Sequence, residues 1–301
     1  MAASNAKFGR LLTAMVTPFT ASGAVDYARA KKLASALLDS GSDGLVVVGT
    51  TGEAPTLEHD EKLRLFSEIK NAVGHRGAVI AGTGSYSTAQ TIALTREAEA
   101  TGVDGILLVV PYYNKPTQEG LYQHFKAVAA STRLPCIPYN VPSRTSLNMS
   151  AETTIRLSQI DNIIGIKEAS ANFDQISRVI EGSRPGFLVW SGNDNDTLPI
   201  LALGGYGIVS VASHLVGKQI KEMIDNFVNG KTAEAARIHR HLVPLVNILF
   251  SITSPIPLKY AMNQYGFPVG PLRLPLTEPD EKTAAAVREA LQKYQIDLPL
   301  A

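Results

Sequence analysis

A lysine closes the apolar run Ile163-Ile164-Gly165-Ile166-Lys167, a setting that strips water from its ammonium. Desolvation penalises the charged form, so such an amine is pushed toward neutrality. A neutral amine can attack a ketone and form an imine, whose protonated nitrogen acts as an electron sink for carbanion chemistry. The same position also suits an ion pair with the adjoining Glu168, and position alone leaves both readings open. Metal-assisted aldol chemistry is the rival route, and it needs clustered histidine and acidic ligands. His59, His75, His124, His239 and His241 fall in helical or loop patterns, and only His214 closely follows a strand-like run. His239 and His241, two apart on a helical pattern, point away from each other. No spaced ligand set emerges, so neither a metal nor another cofactor is expected.

Three further groups have types that suit such chemistry. The turn Gly49-Thr50-Thr51-Gly52-Glu53 has glycines that allow backbone N–H groups to converge on a carboxylate, or it is an ordinary turn leading into a helix. Tyr139 ends another apolar run, where a phenol relays protons or simply packs. Arg144, in the Pro-stiffened stretch Val141-Pro142-Ser143-Arg144-Thr145, has the planar fork for a carboxylate, or for a surface salt bridge. Gly82-Thr83-Gly84 lacks the third glycine of a dinucleotide fingerprint, and neither a P-loop nor a Gly-x-Ser-x-Gly elbow occurs. The pair Tyr112–Tyr113 is not interleaved with basic clusters, so it marks no nucleic-acid surface.

These residues need a frame that brings them together. Apolar runs begin near Leu11, Leu45, Ala78, Gly105, Leu134, Ile163, Phe187 and Gly207. They are continuously apolar rather than alternating, as in parallel strands buried on both faces. Helical patterns separate them: Ala30, Leu33, Ala34, Leu37 and Leu38 form one stripe ending at Gly41, and Leu65, Ile69, Ala72 and Val73 form another ahead of Gly74. Further helices fit 87–100, 117–131, 150–160, 172–182, 195–203 and 215–229. This alternation predicts a (β/α)8 barrel over residues 1–230, with an open doubly wound sheet as the competitor that the missing dinucleotide fingerprint disfavours. Beyond residue 230 the strand signals stop, and helices over 232–250, 255–264 and 279–294 predict a small helical unit over 231–301. Thr277 and Pro279 serve as start signals for the last helix, whose stripe is Ala284, Val287, Leu291 and Tyr294.

The chain has 301 residues, 45% hydrophobic and 18% charged, which is globular material for a large core. A formal net charge of +1 offers no field for nucleic acid or for a membrane surface. The single cysteine, Cys136, excludes an intrachain disulfide framework, and no apolar run suits a signal peptide or a membrane span. A cytoplasmic protein is expected.

Four ordered blocks carry a family resemblance: Gly49-Thr50-Thr51-Gly52-Glu53, Pro111-Tyr112-Tyr113-Asn114-Lys115-Pro116, Tyr139 to Thr145, and Gly165-Ile166-Lys167-Glu168. From about Gly9 to the last helix the chain resembles the dihydrodipicolinate synthase family, the lysine-biosynthesis branch of the N-acetylneuraminate lyase superfamily. The resemblance implies condensation of pyruvate with aspartate 4-semialdehyde, with Lys167 as the Schiff-base lysine and Tyr139 as the proton relay. It also implies that Thr50 links Tyr139 to a Tyr113 supplied by a neighbouring subunit, in a homotetramer built from two tight dimers. Arg144 would bind the semialdehyde carboxylate and Thr51 the pyruvate carboxylate, with Gly192 and Val209 lining that pocket. Sugar-acid lyases of the superfamily share the lysine and tyrosine but generally lack this arginine and the doubled threonine; a silent ligand-binding homologue would have lost the lysine or tyrosine. Lysine-inhibited members hold the inhibitor beside residues matching His59 and Tyr112, both kept here. Their second histidine, asparagine and glutamate are replaced by Lys62, Tyr86 and Gln90, so weak or absent inhibition by lysine is expected.

Overall fold

Branched and straight aliphatic runs this short bury both faces only if neighbours pair on either side and helices cover the outside. The computed structural model, which describes residues 8–300, shows that solution. Its strands are β1 (Leu11–Ala14), β2 (Gly44–Val47), β3 (Ala78–Gly82), β4 (Gly105–Val109), β5 (Cys136–Asn140), β6 (Gly165–Glu168), β7 (Leu188–Ser191) and β8 (Gly207–Ser210). All pair in parallel and in chain order, and β8 returns to β1 to close the barrel.

The apolar runs alternate after all, between two cores rather than between core and water. Leu12, Val46, Ile80, Leu107, Ile137, Tyr139, Trp190 and Val209 form the cluster inside the barrel. Their strand neighbours Leu11, Leu45, Val79, Ile106, Ile166, Val189 and Ile208 join the larger cluster between barrel and helices. A period of two therefore decides which residue faces the lumen, and on β6 it sends Ile166 outward and Lys167 inward.

The surrounding layer comprises α1 (Tyr27–Asp39), α2 (His59–Val73), α3 (Thr88–Ala100), α4 (Gln118–Ala129), the short α5 (Pro142–Thr145), α6 (Ala151–Ser158), α7 (Phe173–Gly182), α8 (Thr197–Ala202) and α9 (Ser213–Val228). Side-chain caps start several of them: Asp26, Ser87, Thr117, Ser150 and Asn172 each accept a hydrogen bond from the backbone N–H three residues on. Where the sequence suggests one helix over 195–203, a 3-10 turn (Asp194–Asp196) precedes α8. The short α5 carries no sequence signal beyond Pro142.

The C-terminal part forms α10 (Thr232–Leu249), α11 (Ile256–Tyr265) and α12 (Glu281–Lys293). α12 starts after Thr277 and Pro279, because the Asp280 carboxylate accepts from Thr283 N at 2.8 Å and sets the first turn there. Leu242, Leu245, Leu258, Met262 and Val287 belong to the same hydrophobic cluster as the barrel's outer face. An ion pair between Lys259 on α11 and Glu53 after β2, 2.9 Å apart with both side chains 1% exposed, crosses that junction. No helix among the described residues is long and apolar enough to cross a membrane.

Candidate active site

The β5–β6–β7 register places Tyr139 beside Lys167 and Lys167 beside Trp190, all pointing into the barrel lumen near its C-terminal mouth. The Lys167 side chain is buried, and its Nζ lies 3.9 Å from the centroid of the Tyr139 ring. Burial pulls this amine from 10.5 down to about 7; Asp194 opposes the shift and Arg144 adds to it. The amine is thus partly neutral at physiological pH, as a nucleophile requires. Its possible partner Glu168 faces the opposite side of the strand. There its carboxylate accepts from Asn140 Nδ2 at 3.1 and 3.2 Å and from Ser170 N at 2.7 Å. The Lys167–Glu168 ion pair is therefore not formed, since adjacent strand residues diverge.

Gly192 makes room for the lysine. A Cβ at Gly192 would lie 3.2 Å from Lys167 Cε and 2.7 Å from Ala169 Cβ, so a larger residue would displace the amine. Val209, buried in the lumen cluster, lies one strand further on. Burial raises the Tyr139 phenol to about 12, against a small opposing effect from Arg144, so its proton is retained at neutral pH.

A cavity of about 720 Å³ opens beside Tyr139, and Thr50 and Arg144 line it. Arg144 stands on α5 with Nη2 donating to the Ser254 carbonyl at 2.9 Å. No carboxylate among the described residues pairs with it, so the salt-bridge reading fails and its fork stays open to the cavity. In the turn after β2, Gly52 N and Ala54 N donate to Gly49 O, and Glu53 N donates to Thr50 O. This leaves the N–H groups of Gly49, Thr50 and Thr51 without a backbone partner among the described residues.

Tyr113 is not brought to this site. It is 92% exposed, with a left-handed φ of 69°, and does not line its own chain's cavity. By contrast, the residues associated with inhibition do converge: His59, Lys62, Tyr86, Gln90 and Tyr112 all line the same cavity as Tyr139. His59 Nε2 is 2.7 Å from Glu97, and the Tyr86 and Tyr112 rings meet edge to face at 5.3 Å.

Two charged groups near the site escaped the sequence reading. Asp194 is buried and accepts from Ser210 Oγ at 2.5 Å, Val211 N at 3.0 Å and Ala212 N at 3.4 Å. It is the carboxylate that acts on Lys167. Its only signal was an unusual polar run, Asn193-Asp194-Asn195-Asp196, directly after β7. Lys259 had none, because a lysine in a helical stripe ordinarily faces water. His214, the histidine nearest a strand end, is a core residue: Nδ1 donates to Val211 O at 2.9 Å and Nε2 accepts from Val16 N at 3.1 Å. No group of three or more metal-ligating side chains occurs among the described residues.

The fold and this geometry define a (β/α)8 barrel enzyme with a buried, near-neutral lysine at the barrel mouth. Residues 7–294 match the dihydrodipicolinate synthetase family, and the chain belongs to it. A protein of Dehalococcoides mccartyi named 4-hydroxy-tetrahydrodipicolinate synthase is 65% identical over 294 residues, 98% of this chain and 99% of that one. A synthase of the same name from Moorella thermoacetica is 56% identical over 287 residues, 94% and 98% of the two chains. Among solved structures, dihydrodipicolinate synthase of Bacillus anthracis superposes with a TM-score of 0.93 at 46% identity, over 95% of this chain and 98% of the other. The enzyme of Cyanidioschyzon merolae with lysine bound gives the same TM-score, identity and coverage.

Proposed function

We propose that the chain condenses pyruvate with L-aspartate 4-semialdehyde through an imine on Lys167, giving 4-hydroxy-tetrahydrodipicolinate and water. This is a lyase reaction of the class I aldolase type, in the diaminopimelate route to lysine. The observation that carries the reading is the buried Lys167 amine with a pKa of about 7, set against the protonated phenol of Tyr139. The neutral amine attacks the pyruvate ketone carbon and expels its oxygen as water. Loss of a proton from the methyl carbon gives an enamine, which forms a carbon–carbon bond to the aldehyde. The amino group of the second substrate then displaces Lys167 and closes the ring, so no oxidant or metal enters the balance. Each step moves a proton, and Tyr139 is the group positioned to relay it.

Thr51 and the lumen wall at Gly192 and Val209 hold the pyruvate carboxylate, and Arg144 the carboxylate of the semialdehyde, where a guanidinium forms two parallel hydrogen bonds. Thr50 passes the proton from Tyr139 to Tyr113 of a neighbouring subunit, which accounts for a tyrosine so exposed on its own chain. The working form is thus a homo-oligomer, a tetramer of two tight dimers, in the cytoplasm. The barrel (1–230) carries the chemistry and the helical part (231–301) braces it. A sugar-acid aldolase reading gains no support from Arg144, which supplies charge where a polyol would need neutral hydrogen-bond partners.

Incubation with pyruvate and borohydride, followed by mass measurement of the protein and its peptides, tests the reading. The adduct is expected on Lys167 and absent from Lys167→Ala. An adduct on another lysine would overturn the assignment, and turnover of sugar acids in preference to the semialdehyde would overturn the substrate.

A further inference from the structure

The turn that follows β2 is pinned by a device drawn from the far end of the chain. Lys259 Nζ donates to Glu53 Oε1 at 2.9 Å, to Thr17 O at 3.1 Å and to Pro271 O at 2.7 Å, which uses all three of its protons. The other Glu53 oxygen accepts from Arg273 N at 2.9 Å. Thr17 Oγ1 donates to Gly52 O at 2.6 Å, and a Cβ at Gly52 would meet Met15 O at 3.1 Å and that same Thr17 oxygen at 3.2 Å.

Glu53 itself stands at φ 56° and ψ 36°, a left-handed conformation that costs a residue with a Cβ roughly 1 kcal/mol or more. A glycine there would relieve that strain, yet the position holds a glutamate whose carboxylate is fully engaged. Two buried charges and a strained backbone are a poor way to gain stability, since an apolar pair of similar volume usually serves as well or better. They are a good way to hold one geometry, because neither charge tolerates losing its partner. What that geometry holds is the preceding pair, Thr50 and Thr51, whose N–H groups are left without backbone partners.

We propose that the Glu53–Lys259 pair is a positioning device for pyruvate recognition, holding the Thr50–Thr51 turn in register with Lys167. Both are positioning residues, since neither touches the reacting atoms. The proposal rests on Thr51 being the contact for the pyruvate carboxylate. Its prediction is selective: loosening the pair weakens pyruvate binding and slows imine formation, while the step that depends on Arg144 is left alone.

Two variants test it. Glu53→Asp keeps the charge but shortens the reach by one methylene, and the double variant Glu53→Gln/Lys259→Met removes both buried charges together. Initial rates are measured against each substrate, and imine formation is followed by the rate of borohydride trapping. The expected result for each folded variant is a pyruvate KM raised about tenfold or more, slower trapping, and a semialdehyde KM within twofold of the parent. A purely structural pair would lower the melting temperature and leave these constants alone. Unchanged pyruvate KM and trapping rate in Glu53→Asp would overturn the proposal, and if the double variant does not fold, Glu53→Asp decides by itself. Thr51→Val is the control: if it too leaves the pyruvate KM unchanged, the reading of the turn fails; if it raises the KM while Glu53→Asp does not, only the clamp fails.

Discussion

Lys167 Nζ sits 3.9 Å above the ring of Tyr139, its partner in the β5–β6 register, so the amine and the phenol occupy one layer of the lumen. An aromatic face attracts a cation, yet burial dominates here and brings the amine to about 7. The two side chains thus differ in protonation at neutral pH: one has lost much of its proton, and the other, at about 12, keeps it.

Imine formation should follow that difference. Only the neutral amine attacks, so the rate of trapping with pyruvate is expected to rise with pH and level off above about 7. Below that value it should fall roughly tenfold per unit as the ammonium takes over. The Asp194 carboxylate raises the Lys167 pKa, so Asp194→Asn should shift the profile toward lower pH. A profile that stays put or moves upward would show that Asp194 does not act on the amine.

Arg144 should serve the second substrate alone. Arg144→Ala is expected to leave trapping with pyruvate intact and to raise the semialdehyde KM. Removal of a charged, hydrogen-bonded contact costs about 2–5 kcal/mol when it is desolvated. Arg144 is exposed at the cavity rim, so the lower end applies, roughly a thirtyfold loss in kcat/KM. Loss of imine formation in this variant would contradict the role.

Tyr113 should work in trans. Tyr113→Phe and Tyr139→Phe are each expected to be strongly impaired, and mixing the two after subunit exchange should restore activity. A mixed dimer then contains one site with both tyrosines. Failure of the mixture to recover, or a fully active monomer in sedimentation, would refute a shared site.

L-Lysine should be a weak inhibitor or none. Gln90 supplies a neutral amide where a glutamate would pair with the ligand's ammonium, and neutral hydrogen bonds are roughly half as strong as charge-assisted ones. Lys62 adds a cation to the same wall, and the Tyr86 ring, edge to face with Tyr112, occupies space a smaller amide would leave. Two such changes at about 1–3 kcal/mol each weaken binding roughly thirtyfold or more. Half-inhibition below roughly 1 mM, about −4 kcal/mol, in an initial-rate titration would show that the altered wall still holds lysine.

The barrel was legible because a strand buried on both faces leaves an unbroken apolar run, and eight such runs between helical stripes have few other solutions. The position of Lys167 at the end of one of them was legible for the same reason. Asp194 was hidden because its partners, Ser210 and two backbone amides of the next turn, lie at the end of the following strand, and only the pairing of β7 with β8 brings them together. The Glu53–Lys259 pair spans 206 residues, and no local pattern links two charges that far apart. Tyr294 shows the middle case: its stripe marked it for burial, and it does pack, with its hydroxyl donating to His241 O at 2.7 Å on α10.

The reach of α11 back to the turn after β2 also orders events in time. Ribosomal synthesis delivers Thr51, Tyr139 and Lys167 well before Ser254 and Lys259, whose contacts anchor Arg144 and Glu53. A nascent chain that has emerged only through β8 already carries its amine and phenol, but not the groups that contact Arg144 and Glu53. A chain cut short before Ser254 would carry Lys167 and Tyr139 without the contacts that Ser254 and Lys259 make to Arg144 and Glu53.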